Sequence, residues 1–151
     1  MRALLTVVLC AASALAADPF YFGTWKIESA KVAPWWKEQK APDAAESNQL
    51  TGKTVVITAA GITGPRQVAC RQPKYQLRSS GPDELFQGML EEMHGRDKSV
   101  DSRKVAASLG FRAKIDTVET GCGNEIDFHF LDKENAAFGL NNYIFYLKRI
   151  R

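Results

Sequence analysis

The chain has 151 residues, of which 45% are hydrophobic and 25% are charged, and its formal net charge is only +3. This length suits one domain with one hydrophobic core, so no second domain is needed. Basic and acidic residues are interspersed along the chain, and this pattern does not favour nucleic acid or an anionic membrane as a partner.

The first residues have the three parts of a secretory signal peptide. Arg2 supplies a positive charge, an apolar stretch over residues 3–12 follows, and Ala16 ends a small-residue cleavage motif. The apolar stretch is shorter than the roughly 20 residues that a membrane-spanning helix needs. We therefore expect residues 1–16 to be removed on export. Residues 17–151 would then form one domain in the periplasm or outside the cell, without an integral membrane segment.

Two cysteines, Cys70 and Cys122, remain in the expected mature chain. An even pair in a protein sent to an oxidising compartment predicts one disulfide bond. The two residues do not form a Cys-x-x-Cys motif, so we expect this bond to be structural and not redox-active.

Strand patterns fill the first part of the mature chain. The first strand is expected over residues 24–30, with Trp25 near its start, and the β-branched residues of 53–58 predict the next one. Glycine and proline residues within 61–65 indicate a turn. Short strands on either side of Pro73 complete this part, and the proline favours a sheet edge or a bulge.

The middle of the chain changes to helical spacing. Apolar residues recur every three or four positions from Leu85 to Met93, which predicts an amphipathic helix. A second helix is expected over about residues 100–109, because Gly110 supplies a stop signal. Residues 42–50 fit a short helical turn.

The last part of the chain returns to strand patterns. Apolar residues alternate over 111–117 and over 126–130, with a glycine-rich turn between them. Residues 143–148 predict a final strand that is apolar on both faces. The whole order predicts a mainly β protein, namely a single antiparallel β-barrel with one or two short helices in the middle of the chain.

Several of these features occur together in one known superfamily. Gly23 and Trp25 at the start of the first strand, a disulfide, a meander of short strands and Arg149 after the last strand resemble the calycins, the lipocalin-like barrels. In that superfamily the tryptophan closes the base of the barrel and a late arginine packs across its ring. The resemblance implies a calycin-like barrel in which Trp25 and Arg149 are structural residues.

The sequence predicts no catalytic or metal-binding constellation. His94 and His129 are the only histidines, and a zinc site would need further ligands that are scattered here. We expect His94 to cap a helix end and His129 to lie on the outward face of a strand. No serine lies in a nucleophile elbow, and no free thiol remains if the two mature cysteines pair. We therefore predict a non-enzymatic protein without a metal or cofactor.

The candidate ligand-binding residues lie in two segments. Trp35 and Trp36 are two large aromatic residues in a polar segment, and aromatic platforms at a barrel mouth bind apolar ligands, sugars or proteins. Phe86, Met89 and Leu90 of the predicted helix would line a lid over the barrel, with methionine making the surface adaptable. The alternative for both segments is ordinary core packing.

These patterns lead to a primary hypothesis and an alternative. The primary hypothesis is a non-enzymatic exported protein that binds a small or extended apolar ligand in or at the mouth of the barrel. The alternative is an inhibitor of a secreted hydrolase, such as a lysozyme or a protease, that uses the loops at 61–65 and 121–123. The expected partner is accordingly a small apolar ligand or a secreted protein.

Overall fold

The computed structural model describes residues 18–151, so the expected signal peptide lies outside the described residues. Nine strands form one sheet within them: β1 Gly23–Val32, β2 Thr54–Thr58, β3 Gly61–Thr63, β4 Cys70–Arg71, β5 Gln76–Ser80, β6 Ile115–Glu119, β7 Asp127–Phe130, β8 Asn135–Leu140 and β9 Tyr143–Ile150. The α-helices are α1 Ala44–Leu50, α2 Leu85–Arg96 and α3 Ser102–Ser108, and a 3-10 turn, Pro82–Glu84, precedes α2. The prediction of a mainly β fold is confirmed. No helix in this part of the chain has the length and apolar character needed to cross a membrane.

The order of the strands forces the sheet to curl. Neighbouring strands are antiparallel throughout the order β4-β3-β2-β1-β9-β8-β7-β6-β5, so the two edge strands, β4 and β5, run in the same direction. Only residues 72–75 separate them in sequence. Parallel neighbours need a crossover of about a dozen residues. β5 therefore continues in the direction of β4. The sheet curls into a half-barrel in which β3 pairs with β4 and β6 pairs with β5.

The predicted disulfide between Cys70 and Cys122 is present and joins edge strand β4 to the turn between β6 and β7, near the other edge of the sheet. Cys70 lies in β4, and Cys122 lies between β6 and β7. The side-chain amide of Asn124 strengthens the same contact by donating to the backbone carbonyls of Gln67 and Val68. The bond links residues 52 positions apart. In the chain-entropy model, such a crosslink raises the free energy of unfolding by about 4 kcal/mol.

Alternation along the strands divides the core into two clusters on opposite faces of the sheet. Phe128 and Phe145 belong to the inner cluster, to which residues from both edges of the sheet contribute. Their sequence neighbours His129 and Ile144 lie on the outer face. Helices α2 and α3 cover the outer face. Large side chains fill the inside of the curled sheet, among them Trp25, Ile27, Ile57, Phe128, Phe138 and Phe145, each less than 2% exposed.

Trp25 and Arg149 close one end of the half-barrel. The guanidinium carbon of Arg149 lies 4.3 Å from the centre of the Trp25 ring, and the indole N–H donates to the carbonyl of Tyr21. A Cβ atom on Gly23 would lie 2.5 Å from an Arg149 nitrogen, and Gly23 has a φ of +139°, so only glycine fits this position. The guanidinium also donates to the backbone carbonyls of Phe20, Phe22 and Lys133.

Helix α1 covers the opposite end. Leu50 of α1 is buried in the inner cluster. The hydroxyl of Tyr143, at the start of β9, donates to the carbonyls of Pro42 and Asp43 just before α1. Both openings are therefore occupied by the protein's own segments.

The strands differ from the sequence prediction at three places. The patterns do not predict β8, because Ala137 and Gly139 weaken its β propensity. They place a strand over 111–117, whereas β6 begins at Ile115 and Phe111 packs against the outer cluster. β3 occupies part of the segment that is expected to be only a turn.

Replacing Arg149 by lysine tests the closure at the Trp25 end. Lysine keeps the charge but loses the planar stacking and most of the bonds to the backbone carbonyls, so we expect the free energy of unfolding to fall by about 2 kcal/mol. Urea denaturation followed by circular dichroism measures it. Arg151→Lys is the matched control, because Arg151 is exposed and pairs only with Glu134, and its effect should stay below about 0.5 kcal/mol. Similar small losses in both variants would contradict the closure.

Candidate functional site

Four of the five predicted ligand-binding residues come together on the outer side of the sheet. Phe86 and Leu90 of α2 are 0% exposed in the outer cluster, and Met89 and Trp35 are partly buried against it. The rings of Trp35 and Phe86 are 5.5 Å apart. The indole N–H of Trp35 donates to the carbonyl of Asn141 at 2.8 Å, which fixes the ring beside the end of β8.

Gly139 of β8 provides the space for this aromatic contact. A Cβ atom there would lie 3.0 Å from Cδ1 of Phe86 and 3.4 Å from Cη2 of Trp35. The glycine that weakens the strand pattern of β8 therefore has a packing role, because it lets two rings lie directly on the sheet.

Trp36, the fifth predicted residue, is partly exposed and lies apart from the other four. Its indole N–H donates to the carbonyl of Lys40 at 2.9 Å, which closes a tight loop. The ring borders a surface hollow of about 530 Å³ next to α1. The other residues around this hollow are Glu38, Lys40, Ala41, Pro42, Asp43 and Ala44.

Three residues near the start of α2, directly after Leu85, lie in the left-handed region. The φ and ψ angles are 54° and 51° at Phe86, 56° and 38° at Gln87, and 78° and 12° at Gly88. Residues with a side chain adopt this conformation at a cost of about 1–2 kcal/mol each. The side-chain amide of Gln87 donates to the carbonyl of Glu125 at 2.8 Å and to the carboxylate of Asp127 at 3.2 Å. Bonds to the segment at the start of β7 therefore help to hold the turn.

His129 holds the same turn from beneath. His129 lies on the outward face of its strand, as the sequence predicts, but α2 covers that face and the residue is 0% exposed. Nε2 accepts the backbone N–H of Phe86 at 3.0 Å, and Nδ1 lies 2.9 Å from Oγ1 of Thr117. Because a backbone N–H can only donate, Nε2 carries no proton, and Nδ1–H donates to Thr117. Burial lowers the pKa of His129 to about 3, so the ring is neutral.

A pair of carboxylates lies on the same face. Asp127 of β7 is directly opposite Glu119 of β6. Burial, and to a lesser degree the charge of Glu119, raises the pKa of Asp127, while the bond from Gln87 lowers it. Arg78 binds Glu119 at 3.2 Å. Each carboxylate thus has its own donor, and the bond from Gln87 to Asp127 helps to hold the start of α2 against the sheet.

The histidines and acidic residues form no metal centre in the part of the chain that is described, where no group of three or more His, Cys, Asp or Glu is arranged to hold an ion. His94, near the end of α2, lies 2.7 Å from the carbonyl of Val100 through Nδ1. His129 has both ring nitrogens engaged.

A second groove lies beside the disulfide. It has a volume of about 440 Å³ and a mostly apolar surface. The disulfide ties residues 121–123 to Cys70 of β4, and β4 pairs with β3 in the segment 61–65. The residues along this groove are Thr58, Ala60, Gly61, Ile62, Thr63, Gly64, Ala69, Cys70 and Arg71.

Comparison of the chain with protein-family models, with curated proteins and with solved structures gave no match. The geometry of the outer cluster and of the two grooves is therefore the basis for assigning a function. Of these features, the sequence indicates the aromatic and helical residues, but it gives no sign of the left-handed turn or of its bond to His129.

The buried His129 predicts that stability falls with acid. Its pKa is about 3 in the folded protein and about 6.5 in the unfolded chain, so the unfolded chain takes up the proton first. The contribution is complete above pH 6.5 and is lost as the pH falls towards 3, with about 2 kcal/mol lost between pH 7 and pH 5. Urea denaturation at pH 7, 6 and 5 measures this slope. A His129→Gln variant, which keeps an acceptor but does not titrate, should show a shallower slope, and an unchanged slope would contradict the assignment.

Proposed function

We propose that the protein is a non-enzymatic exported binding protein that holds a small or extended apolar ligand at the mouth of the half-barrel, where Trp35 and Trp36 lie. The observation that carries this proposal is the partly exposed ring of Trp35, which packs on Phe86 and so links the surface to the outer cluster. Met89 packs against the same outer cluster, and its flexible thioether adapts to ligands of different shape. Aromatic side chains offer large apolar contact areas with a polar edge for orientation.

The filled interior supports a ligand on the surface and outer face. Lipocalin-type pockets need about 300–1,000 Å³ of enclosed space. Here aromatic side chains occupy the inside of the curled sheet, and Phe138 stacks on Phe145 at 5.2 Å. The two ends are occupied by the Trp25 contact and by α1. A ligand of the proposed kind would therefore bind on the outer surface at the mouth and not inside the half-barrel.

Two further observations support the exported, calycin-like part of the proposal. The Cys70–Cys122 bond suits an oxidising compartment, where a structural disulfide persists. The packing of Arg149 on Trp25 matches the contact that the resemblance to the calycins implies. The engagement of both nitrogens of His129 supports a non-enzymatic role, since neither is free to act as a base.

Inhibition of a secreted hydrolase is the second candidate. The two segments that this function would use lie at 61–65 and 121–123. The disulfide ties the second to β4, which pairs with β3 in the first, and the 440 Å³ groove lies along the first. A pinned loop loses little conformational freedom on binding, which favours tight inhibition. This candidate uses a different surface from Trp35 and Trp36, so substitutions separate the two functions.

Native mass spectrometry of the exported protein, followed by denaturing spectra, tests the primary proposal. We expect a small apolar molecule to be retained by the folded protein and released on denaturation. Trp36→Ala should reduce the retained fraction severalfold without changing the melting temperature, because Trp36 is partly exposed and contributes little to the core. Thr63→Ala, in the groove beside the disulfide, is the control and should retain the molecule fully.

A protein that retains nothing and binds no apolar probe would contradict the proposal. Inhibition of a lysozyme or protease that Thr63→Arg abolishes and Trp36→Ala leaves intact would then establish the second candidate.

A further inference from the structure

Two of the predicted contact residues, Phe86 and Leu90, are 0% exposed, so they can meet a ligand only if part of α2 moves. We propose that residues 86–88 are the latch of an apolar site on the outer face of the sheet. When the bond from Phe86 N–H to His129 breaks, the ring of Phe86 leaves and an alkyl or aromatic ligand takes its place over Gly139. This inference rests on the proposed function and locates its binding site.

The shape of the outer face argues for this exchange of a ring for a ligand. Beneath Phe86, β8 presents Ala137 and Gly139, the two smallest residue types. Trp35 forms one wall of this depression, and Ile144 and Leu90 belong to the same apolar cluster. Removing the ring of Phe86 would leave a hollow with an apolar lining and one polar group, the imidazole of His129. Such a lining suits an alkyl chain or an aromatic ring.

The latch is held in a strained conformation. Phe86 and Gln87 are both left-handed, and backbone strain of this kind amounts to about 1–3 kcal/mol per residue and is concentrated at ligand clamps and switches. The turn is held by the bond to His129 and by the two bonds of the Gln87 side chain. Opening releases the strain while breaking these bonds, so the two effects offset each other.

Only the first turn of α2 needs to move. Further along the helix, the hydroxyl of Ser102 in α3 donates to the carbonyl of Leu90 at 3.2 Å. Leu90 and Met93 therefore stay against the sheet while residues 86–88 swing outward. Gly88, with a φ of 78°, lies at the junction between the turn and the regular helix.

Acid favours the open latch, because a protonated Nε2 cannot accept the N–H of Phe86. The groups packed around His129 are Thr117 on β6 and the rings of Phe86 and Phe111, none of which is charged. The titratable groups further along this face are Asp127 and Glu119, with Arg78 bound to Glu119. Asp127 accepts the second bond of Gln87, so it too loses a partner when the latch opens.

Hydrogen exchange of the ligand-free protein tests the latch. Thr117→Val removes the acceptor for Nδ1–H and weakens the hold of His129, and we expect the amide of Phe86 to exchange about fivefold faster at pH 7. The amide of Val118, in the inner cluster, should not change. Thr63→Val, on the exposed side of β3, is the matched control. His129→Gln should remove the fall that the wild type shows, between pH 7 and pH 5, in the protection factor of Phe86, which is the intrinsic exchange rate divided by the observed rate. A protection factor at Phe86 that is unchanged in Thr117→Val and independent of pH would overturn the latch.

Titration with dodecanoate tests the site. Thr117→Val should bind it about fivefold more tightly than the wild type at pH 7, because more of the protein is open, while Thr63→Val should bind it like the wild type. Fast exchange at Phe86 without any binding of dodecanoate or of an aromatic probe, 1-anilinonaphthalene-8-sulfonate, would overturn the site. A ligand retained in native spectra together with slow, invariant exchange at Phe86 would overturn the latch and leave the proposed function standing.

Discussion

The two edge strands of the sheet run in the same direction and are separated by only residues 72–75, so the chain can join them only by curling the sheet. The Cys70–Cys122 bond then ties β4 to the turn between β6 and β7 across this closure. This closure determines the size of the interior. Large, mostly aromatic side chains fill the space inside the nine-stranded sheet, and these side chains are almost fully buried. With the inside occupied and both ends covered, a partner would have to bind on the outside of the half-barrel, at the outer face, beside Trp35 and Trp36, or in the groove beside the disulfide.

The two clusters on either side of the sheet differ in how firmly they are held. The inner cluster is bounded by continuous strands, by the disulfide and by the Trp25–Arg149 contact. The outer cluster depends on α2, whose first turn is strained and is held by side-chain bonds from His129 and Gln87. Segments with few and costly interactions open first, and binding surfaces are commonly drawn from them. This asymmetry is the physical reason for proposing a ligand site on the outer side.

Much of the fold follows from local sequence patterns, because its main elements have strong signals. The β-branched residues of β2 and the helical spacing of α2 each depend on near neighbours in sequence. The disulfide joins distant residues, but its pairing follows because Cys70 and Cys122 are the two cysteines of the expected mature chain. The Gly23-x-Trp25 pattern also has a physical basis, since the guanidinium of Arg149 occupies the space of a Gly23 side chain. β8 was not predictable in this way. Its Gly139 lacks a strand signal because the rings of Phe86 and Trp35, which come from distant segments, occupy the space that a side chain would need.

The site was less predictable for the same reason. The sequence indicates that Trp35, Phe86, Met89 and Leu90 are large and apolar, but not that a sheet face lies beneath them. The period-two pattern of residues 126–130 places His129 on the outer face correctly, yet it cannot show that α2 covers that face. Left-handed backbone at Phe86 and Gln87 has no sequence signal at all, since neither residue favours it. These features depend on packing between distant segments.

The most direct measurement is a titration of the isotope-labelled protein with dodecanoate, followed by the chemical shifts of its methyl groups. A ligand on the outer face should shift the methyl signals of Met89, Leu90 and Ile144. The methyl signals of Ile27, Val55 and Val118, inside the curled sheet, should remain in place. Shifts confined to the inner methyl groups would contradict the account, because they would show that the interior opens to a ligand while the outer face does not bind one.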